Sequence, residues 1–150
     1  MLTLVPHEPR WNEAAARVWS ESYQTSSVAV PGVGDAPALA RRIPEEIAGG
    51  WSVVLALCAD APVGFLALAP AERQLCQLFV LPAAQGRGVG TSLLRHAMAE
   101  LGGELWLSVM ADNAGARRFY ERHGLHAGES GIHPGTGQKT VIYRMTPAAM

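Results

Sequence analysis

"QGRGVGTSLL", residues 85–94, sets three glycines at alternate positions, places an arginine between the first two, and continues as an apolar pattern at helical spacing. Glycine adopts backbone angles that other residues avoid, and it lets a backbone lie close against a neighbour. Before it stands the apolar run "QLCQLFVLP", 74–82, ended by Pro82. The pair reads as a strand feeding a tight turn and then a helix. Val89, Leu93, Leu94, Ala97, Met98 and Leu101 repeat at helical spacing until Gly102 and Gly103 end the pattern. "ELWLSVM", 104–110, is a strand again. Strand, helix and strand make a βαβ crossover in an α/β or α+β domain.

Working outward, residues 2–5 read as a short strand. "EPRWNEAAARVWSESY", 8–23, puts Trp11, Ala15, Val18, Trp19 and Tyr23 on one stripe, an amphipathic helix with Pro9 near its first turn. A loop follows, and "APALARRIPEEIAGG", 36–50, reads as a helix or helical pair interrupted at Pro44. "SVVLALCADAPVGFLALAP", 52–70, imitates a membrane span but carries Asp60 at its centre, with Pro62 and Gly64 close behind. A spanning helix would bury that charge, so two strands joined at "ADAP" fit better. "NAGARRFYERHG", 113–124, is a helix stopped by Gly124; "LHAGES" and "TVIYRM" are closing strands, and the terminal "TPAAM", 146–150, is expected to fray. The order is β-α-α-β-β-β-α-β-α-β-β.

Composition narrows the classes. With 150 residues, 49% hydrophobic and 17% charged, residues 1–150 are expected to form one globular domain. A net charge of −1 points to no polyanionic partner, so nucleic acid is not expected. "MLTLVPHEPR" lacks a charged region followed by an apolar core, so no secretory signal is expected. Cys58 and Cys76 lie in apolar runs, which suggests buried thiols in a reducing, cytoplasmic compartment. The five histidines form no His-x-x-x-His pair, and with two distant cysteines no metal site is expected. His96 and His123 read as residues of solvated helix faces.

A helix N-terminus presents unpaired N–H groups and the positive end of its dipole, which together bind phosphate-type anions. Glycines at 86, 88 and 90 would let those amides point outward without Cβ atoms blocking a ligand, and Arg87 adds a charge. A tight strand-to-helix turn without a ligand is the plain alternative. Two familiar phosphate loops fail here. The Walker pattern needs a lysine before its Ser/Thr, but residues 91–92 are Thr-Ser. The dinucleotide fingerprint needs glycine at position 91 or 93, which hold Thr and Leu.

"LFVLPAAQGRGVGTSLL", 78–94, resembles the acyl-CoA signature of the GNAT superfamily of N-acyltransferases, Gln/Arg-x-x-Gly-x-Gly/Ala after an apolar strand, met by Gln85, Gly88 and Gly90. "NAGARRFYERHGL", 113–125, resembles the family's second motif, met by Asn113, Ala116, Phe119, Tyr120 and Gly124, with Leu125 in place of the usual Phe. The resemblance covers essentially residues 2–146 and is least specific over 20–50. It implies a mixed, mostly antiparallel sheet of about seven strands, splayed at the middle and flanked by about four helices.

It also implies roles. The backbone of Gly86, Arg87, Gly88, Val89, Gly90 and Thr91 would grip the CoA pyrophosphate, with Gln85 part of the same signature. Leu78, Phe79 and Val80 would pair with the pantetheine like an added strand. A backbone N–H near Val80 would polarise the thioester carbonyl, Asn113 would contact the cofactor arm, and Tyr120 would sit beside the sulfur. Acyl transfer to an amine needs a neutral amine, a stabilised oxyanion and a proton for the departing thiolate. On the residues alone Tyr120 is a core aromatic; the resemblance makes it the general acid, its phenol at about 10 lying near a thiol at about 8.5.

No base is identified. Where many relatives carry a carboxylate, this chain has Cys76 and Gln77. Glu72, Asp112, Glu21, Asp35, Glu45 and Glu46 are the acids of the neighbouring and acceptor regions, and a water relay or a low-pKa acceptor is equally allowed. His133, in "GIHPGTGQK", belongs to a glycine-rich loop that would border the acceptor pocket. Arg117 and Arg118 would reach cofactor phosphates or lie on a solvated face. Trp11, Trp19 and Trp51 would pack the first helix on the sheet. The implied function is acetyl-CoA-dependent N-acetylation of a primary amine by direct attack, with acetyl-CoA as co-substrate and no metal. A small-molecule acceptor is preferred because no acidic run suggests docking of a basic peptide. A protein or peptide acetyltransferase and a non-catalytic acyl-CoA sensor are the alternatives. The protein is expected to be a monomer or homodimer without membrane partners.

Overall fold

The structure is a computed structural model describing residues 1–146. Its elements are β1 (Leu2–Pro6), α1 (Asn12–Gln24), α2 (Ala36–Ala48), β2 (Ser52–Cys58), β3 (Ala61–Ala69), β4 (Gln74–Val80), α3 (Val89–Glu100), β5 (Leu105–Met110), α4 (Ala114–Arg122), β6 (His126–Ile132) and β7 (Lys139–Met145). Short 3-10 turns precede α1, β4 and α3. The strands form one seven-stranded sheet in the order β1-β2-β3-β4-β5-β7-β6. All neighbours are antiparallel except β4 and β5. The expected element order and mixed sheet are therefore present. Of the expected frayed tail only Thr146 falls within the described residues.

The apolar runs of β2 and β3 are continuous because both sheet faces are covered, as strands buried on two sides require. Alternate residues serve opposite cores. Val53, Leu55, Phe65 and Ala67 pack under α1 and α2 against Ala15, Trp19, Leu39 and Ile43. Val54, Ala56, Leu66 and Leu68 pack under α3 against Val89, Leu93, Leu94 and Ala97. The 52–70 stretch is thus a hairpin, turned by Ala59 and Asp60 at φ 50° and 66°. No helix among the described residues is long and apolar enough to cross a membrane.

Two expectations need correction. Pro44 does not divide α2, which runs as one helix from Ala36 to Ala48. Pro44 is exposed and removes one intrahelical bond, while buried Leu39 and Ile43 hold that face to the sheet. Asp35 secures the start, its carboxylate accepting from the Ala38 N–H at 2.8 Å. The cysteines are free but only half-buried: Cys58 ends β2 beside the hairpin turn, and Cys76 lies on a bulge.

That bulge positions the functional region. In the β3–β4 register Ala67 faces Gln77 and Leu68 faces Leu75, so Cys76 is the extra residue. A bulge bends and twists its strand. On the other side, β4 pairs with β5 only at Gln74 and Trp106, where the Trp106 N–H donates to the Arg73 carbonyl at 3.1 Å. Beyond that pair the strands part. The Leu81 N–H donates back to the Val63 carbonyl at 2.8 Å, toward β3. Backbone direction alternates along a strand, so the N–H groups of Leu78 and Val80 face the gap.

Gly64 seats α3 on the sheet: a Cβ there would lie 2.9 Å from Leu93 Cδ1, 3.0 Å from Val89 Cγ1 and 3.1 Å from Ala56 Cβ. Gly64→Ala should therefore destabilise the fold by about 1–3 kcal/mol through overpacking. Denaturant unfolding measures this, and an unchanged midpoint would show that α3 shifts freely.

Candidate active site

Two cavities meet where β4 and β5 part. The first, of about 590 Å³, lies between the C-terminal turn of α1, the end of β4 and the starts of α3 and α4. The glycine turn lines it together with Leu78, Phe79, Val80, Gln85, Asn113, Phe119, Tyr120 and Arg122. The second, of about 500 Å³, opens on the opposite side, lined among others by Trp19, Leu39, Arg42, Cys76, Gln77, Val109 and His133. Ser26, Leu78, Phe79, Asn113, Ala116 and Tyr120 border both.

The turn is built by left-handed glycines. Gly86 and Gly88 have φ of +81° and +80°, and a Cβ at either would meet nothing within 4 Å. Backbone conformation requires these two glycines. Gly88 is the N-cap of α3 and supplies no side-chain cap, so the amides of the first turn lack intrahelical partners. Gly90 does something else: its missing Cβ makes room for Phe119, whose Cζ would lie 3.3 Å away. Arg87, expected at the phosphates, is exposed and does not line the cavity. Gln85 folds its side chain back, its Nε2 donating to the Val80 carbonyl at 3.1 Å. That bond ties the turn to β4 while the Val80 N–H still faces the gap.

His123 is not on a solvated face. It is half-buried, with Nδ1 2.8 Å from the Phe119 carbonyl and Nε2 3.1 Å from Thr91 Oγ1. A carbonyl only accepts, so in the neutral ring Nδ1 carries the proton and Nε2 accepts from the Thr91 hydroxyl. The imidazole is a strut between α3 and α4. Arg117 departs from both readings made of it. Its Nε donates to the Tyr143 hydroxyl at 3.0 Å and an Nη to the Ala111 carbonyl at 3.2 Å. The Tyr143 hydroxyl in turn donates to Glu121 at 2.5 Å. These bonds fasten α4 to β7 and to the turn after β5. The arginine that does line the first cavity is Arg122, which the sequence reading missed. Its signal was spacing: it lies three residues after Phe119, on the helix face turned to the glycines.

Asn113 caps α4, its Oδ1 accepting from the Ala116 N–H at 3.2 Å, which leaves its amide nitrogen for other partners. Tyr120 follows two turns later, 7% exposed, its hydroxyl without a hydrogen-bond partner among the described residues. Burial holds its phenol above the ordinary value, so it keeps its proton through the neutral range, and the near match to a thiol expected from the ordinary values is widened.

None of Glu21, Asp35, Glu45, Glu46, Glu72 and Asp112 lines either cavity. Burial, reinforced by the charges of Glu72 and Glu46, pushes the Cys76 thiol up to about 11. It is no base at neutral pH. His133 does border the second cavity, but its Nδ1 accepts from the N–H groups of Gly135 at 3.0 Å and Thr136 at 3.1 Å. The neutral ring therefore carries its proton on Nε2 and acts as a donor. Trp19 packs as expected, stacked between Phe65 at 5.4 Å and Phe79 at 5.9 Å. Among the described residues no group of acids, histidines and cysteines is placed to hold a metal ion.

The site is thus a splayed sheet with a helix-opening glycine turn on one side of the gap and a half-open cavity on the other. The model of the acetyltransferase (GNAT) family matches residues 10–125, and the chain belongs to that family of N-acetyltransferases. Among solved structures, PaiA N-acetyltransferase from Thermoplasma acidophilum, in complex with coenzyme A, is 15% identical with a TM-score of 0.77, covering 95% of this chain and 98% of its own. The structure of yncA from Salmonella typhimurium with its cofactor acetyl-CoA is 15% identical, TM-score 0.72, with coverage of 95% and 92%. The ribosomal-protein-S18-alanine N-acetyltransferase from Escherichia coli is 21% identical, TM-score 0.75, with coverage of 100% and 97%. No curated protein matches the chain.

The Cys76 thiol yields a pH test. Its folded value of about 11 lies above its ordinary 9.0, so the unfolded chain releases the proton first. Stability is then complete below about pH 9 and declines as pH rises toward 11. Between pH 9 and 10, where the thiol of the unfolded chain titrates ahead of most tyrosine ionisation, Cys76→Ala should flatten the decline in melting temperature. An equal decline in both proteins would assign it elsewhere.

Proposed function

We propose that this protein transfers the acetyl group of acetyl-CoA to the primary amine of a small molecule, by direct attack with both substrates bound. The observation that carries this reading is the meeting of the two cavities at Tyr120 and the unpaired edge of β4. In this reading the amides from Gly86 to Thr91 hold the pyrophosphate at the start of α3. Leu78 and Val80 pair with the pantetheine by their backbone while Phe79 contributes its ring, and Asn113 donates its free amide to the cofactor arm. Gln85 and Arg122 support the same cavity. Arg87 contributes charge only, from outside it.

The chemistry follows from what faces the junction. The amine nitrogen attacks the thioester carbon, and the Val80 N–H stabilises the oxygen that gains charge. The C–S bond breaks, and the Tyr120 hydroxyl gives its proton to the sulfur. The proton lost by the amine goes to water, from which the phenolate is restored. Among the described residues lining the acceptor cavity none is a free base, so in this reading the amine arrives neutral. The same absence favours one second reading, a sensor that binds acyl-CoA without turnover. Thiol release over a panel of amines separates the two: binding without release for every amine would establish the sensor.

Gly88→Asp places a side chain and a negative charge in a left-handed backbone position at the phosphate site. Acetyl-CoA should raise the melting temperature of the native protein and leave that of the variant unmoved; an undiminished shift would remove the turn from the binding site.

Tyr120→Phe keeps the ring in its packing and removes only the hydroxyl. The turnover number should fall by roughly 10²–10⁴-fold with acetyl-CoA affinity little changed. A loss confined to KM would make the hydroxyl a binding group, and native turnover would exclude it from proton transfer.

A further inference from the structure

Resting on the acetyl-transfer reading, we propose that the acceptor is an amine that also carries a carboxylate on an apolar or aromatic body, an amino-acid-like molecule, and that Arg42 selects it. The acceptor cavity has no aspartate or glutamate among its described lining residues, and Arg42 is its single formal charge. Its walls are largely apolar, and at its mouth stand Val33 and Ile132, 41% and 63% exposed. A polyamine or lysine-rich tail would bring positive charge into a cavity whose one ion is a cation. An anionic group on an apolar body matches both features.

Arg42 is set for that task before a ligand arrives. Its guanidinium carbon lies 5.1 Å from the Trp19 ring centre and 5.7 Å from that of Trp51, so two aromatic faces fix the group. Its carboxylate partner is Glu46, one turn along α2, at a single N–O distance of 3.5 Å. That contact is long and not bidentate, which leaves the planar fork open to a carboxylate. The second donor is Nε2 of His133, the nitrogen left free when Nδ1 takes two backbone N–H groups. Arg42 and His133 thus both offer hydrogens to an oxygen, and no carboxylate among the described lining residues offers an ammonium group an ion pair.

The test uses substrates matched in body and differing in the carboxylate: L-phenylalanine against phenethylamine, L-leucine against 3-methylbutylamine, and spermidine as a polycation. Thiol release is measured in the native protein and in Arg42→Gln. The native protein should favour each amino acid in kcat/KM by about tenfold or more, the size of one charge-assisted contact. Arg42→Gln should erase the preference through KM, with the KM for acetyl-CoA unmoved. A native preference for the decarboxylated amine or for spermidine would overturn the proposal, as would a preference that survives the substitution. If no amine turns over, the acetyl-transfer reading fails on its own. Titration of N-acetylphenylalanine and N-acetylphenethylamine in the presence of CoA then still decides the carboxylate preference, because both probe the same cavity without chemistry.

Discussion

Strands β4 and β5 share one parallel pairing, Gln74 with Trp106, and then separate. The candidate site depends on that separation. A sheet interior strand normally spends both edges on neighbours, and an unpaired N–H facing a cavity must find water or a ligand. Here Leu78 and Val80 keep their N–H groups turned to the gap, while the opposite edge of β4 pairs with β3 on either side of the bulge. The bulge at Cys76 makes this possible by bending β4 away without costing it the β3 register on either side. The gap is therefore bounded on both sides by strands paired on their far edges.

Two helices then converge on the opening with their N-termini. α3 begins at Gly88 and α4 at Asn113, so the positive ends of both dipoles flank the same space. Each helix is braced by packing and by side-chain hydrogen bonds. Gly64 lets α3 sit against β3, Gly90 lets Phe119 of α4 sit against α3, and His123 bridges Thr91 to the Phe119 carbonyl. Arg117, Tyr143 and Glu121 anchor the outer face of α4. Tyr120 consequently holds its position in the gap by packing alone, and its hydroxyl is free of partners among the described residues.

The sequence carried the element order because each segment announces itself through local chemistry: strict helical stripes, breakers at Pro82, Gly102 and Gly124, and one charge at Asp60 in the run that imitates a span. Pro44 misled because a proline on an exposed helix face can be tolerated when buried neighbours on the other face hold the helix down, and burial is not visible locally. The same blindness to partners explains His123, Arg117 and Gly90. Their roles are set by residues 32, 26 and 29 positions away, at Thr91, Tyr143 and Phe119. The glycine turn itself was legible because a left-handed backbone demands glycine wherever it occurs, whatever the rest of the fold does.

The missing base becomes intelligible when the protons at the junction are followed. Tyr120 keeps its proton because burial disfavours the phenolate, Cys76 keeps its own for the same reason with two carboxylates adding to it, and the neutral ring of His133 has its lone pair occupied. Tyr120, Cys76 and His133 thus border the proposed acceptor cavity as donors, while Tyr23, which also borders it, accepts from the Val30 N–H at 2.9 Å. In the proposed reaction those donors would stabilise charge developing on a carbonyl oxygen and a departing sulfur. Positioning a neutral amine against a polarised thioester can supply much of the barrier reduction without proton abstraction by the protein. The donors proposed to serve the reaction and the Arg42 proposed to bind an anion share one sign, for Arg42 is the one formally charged side chain among the described residues of that cavity.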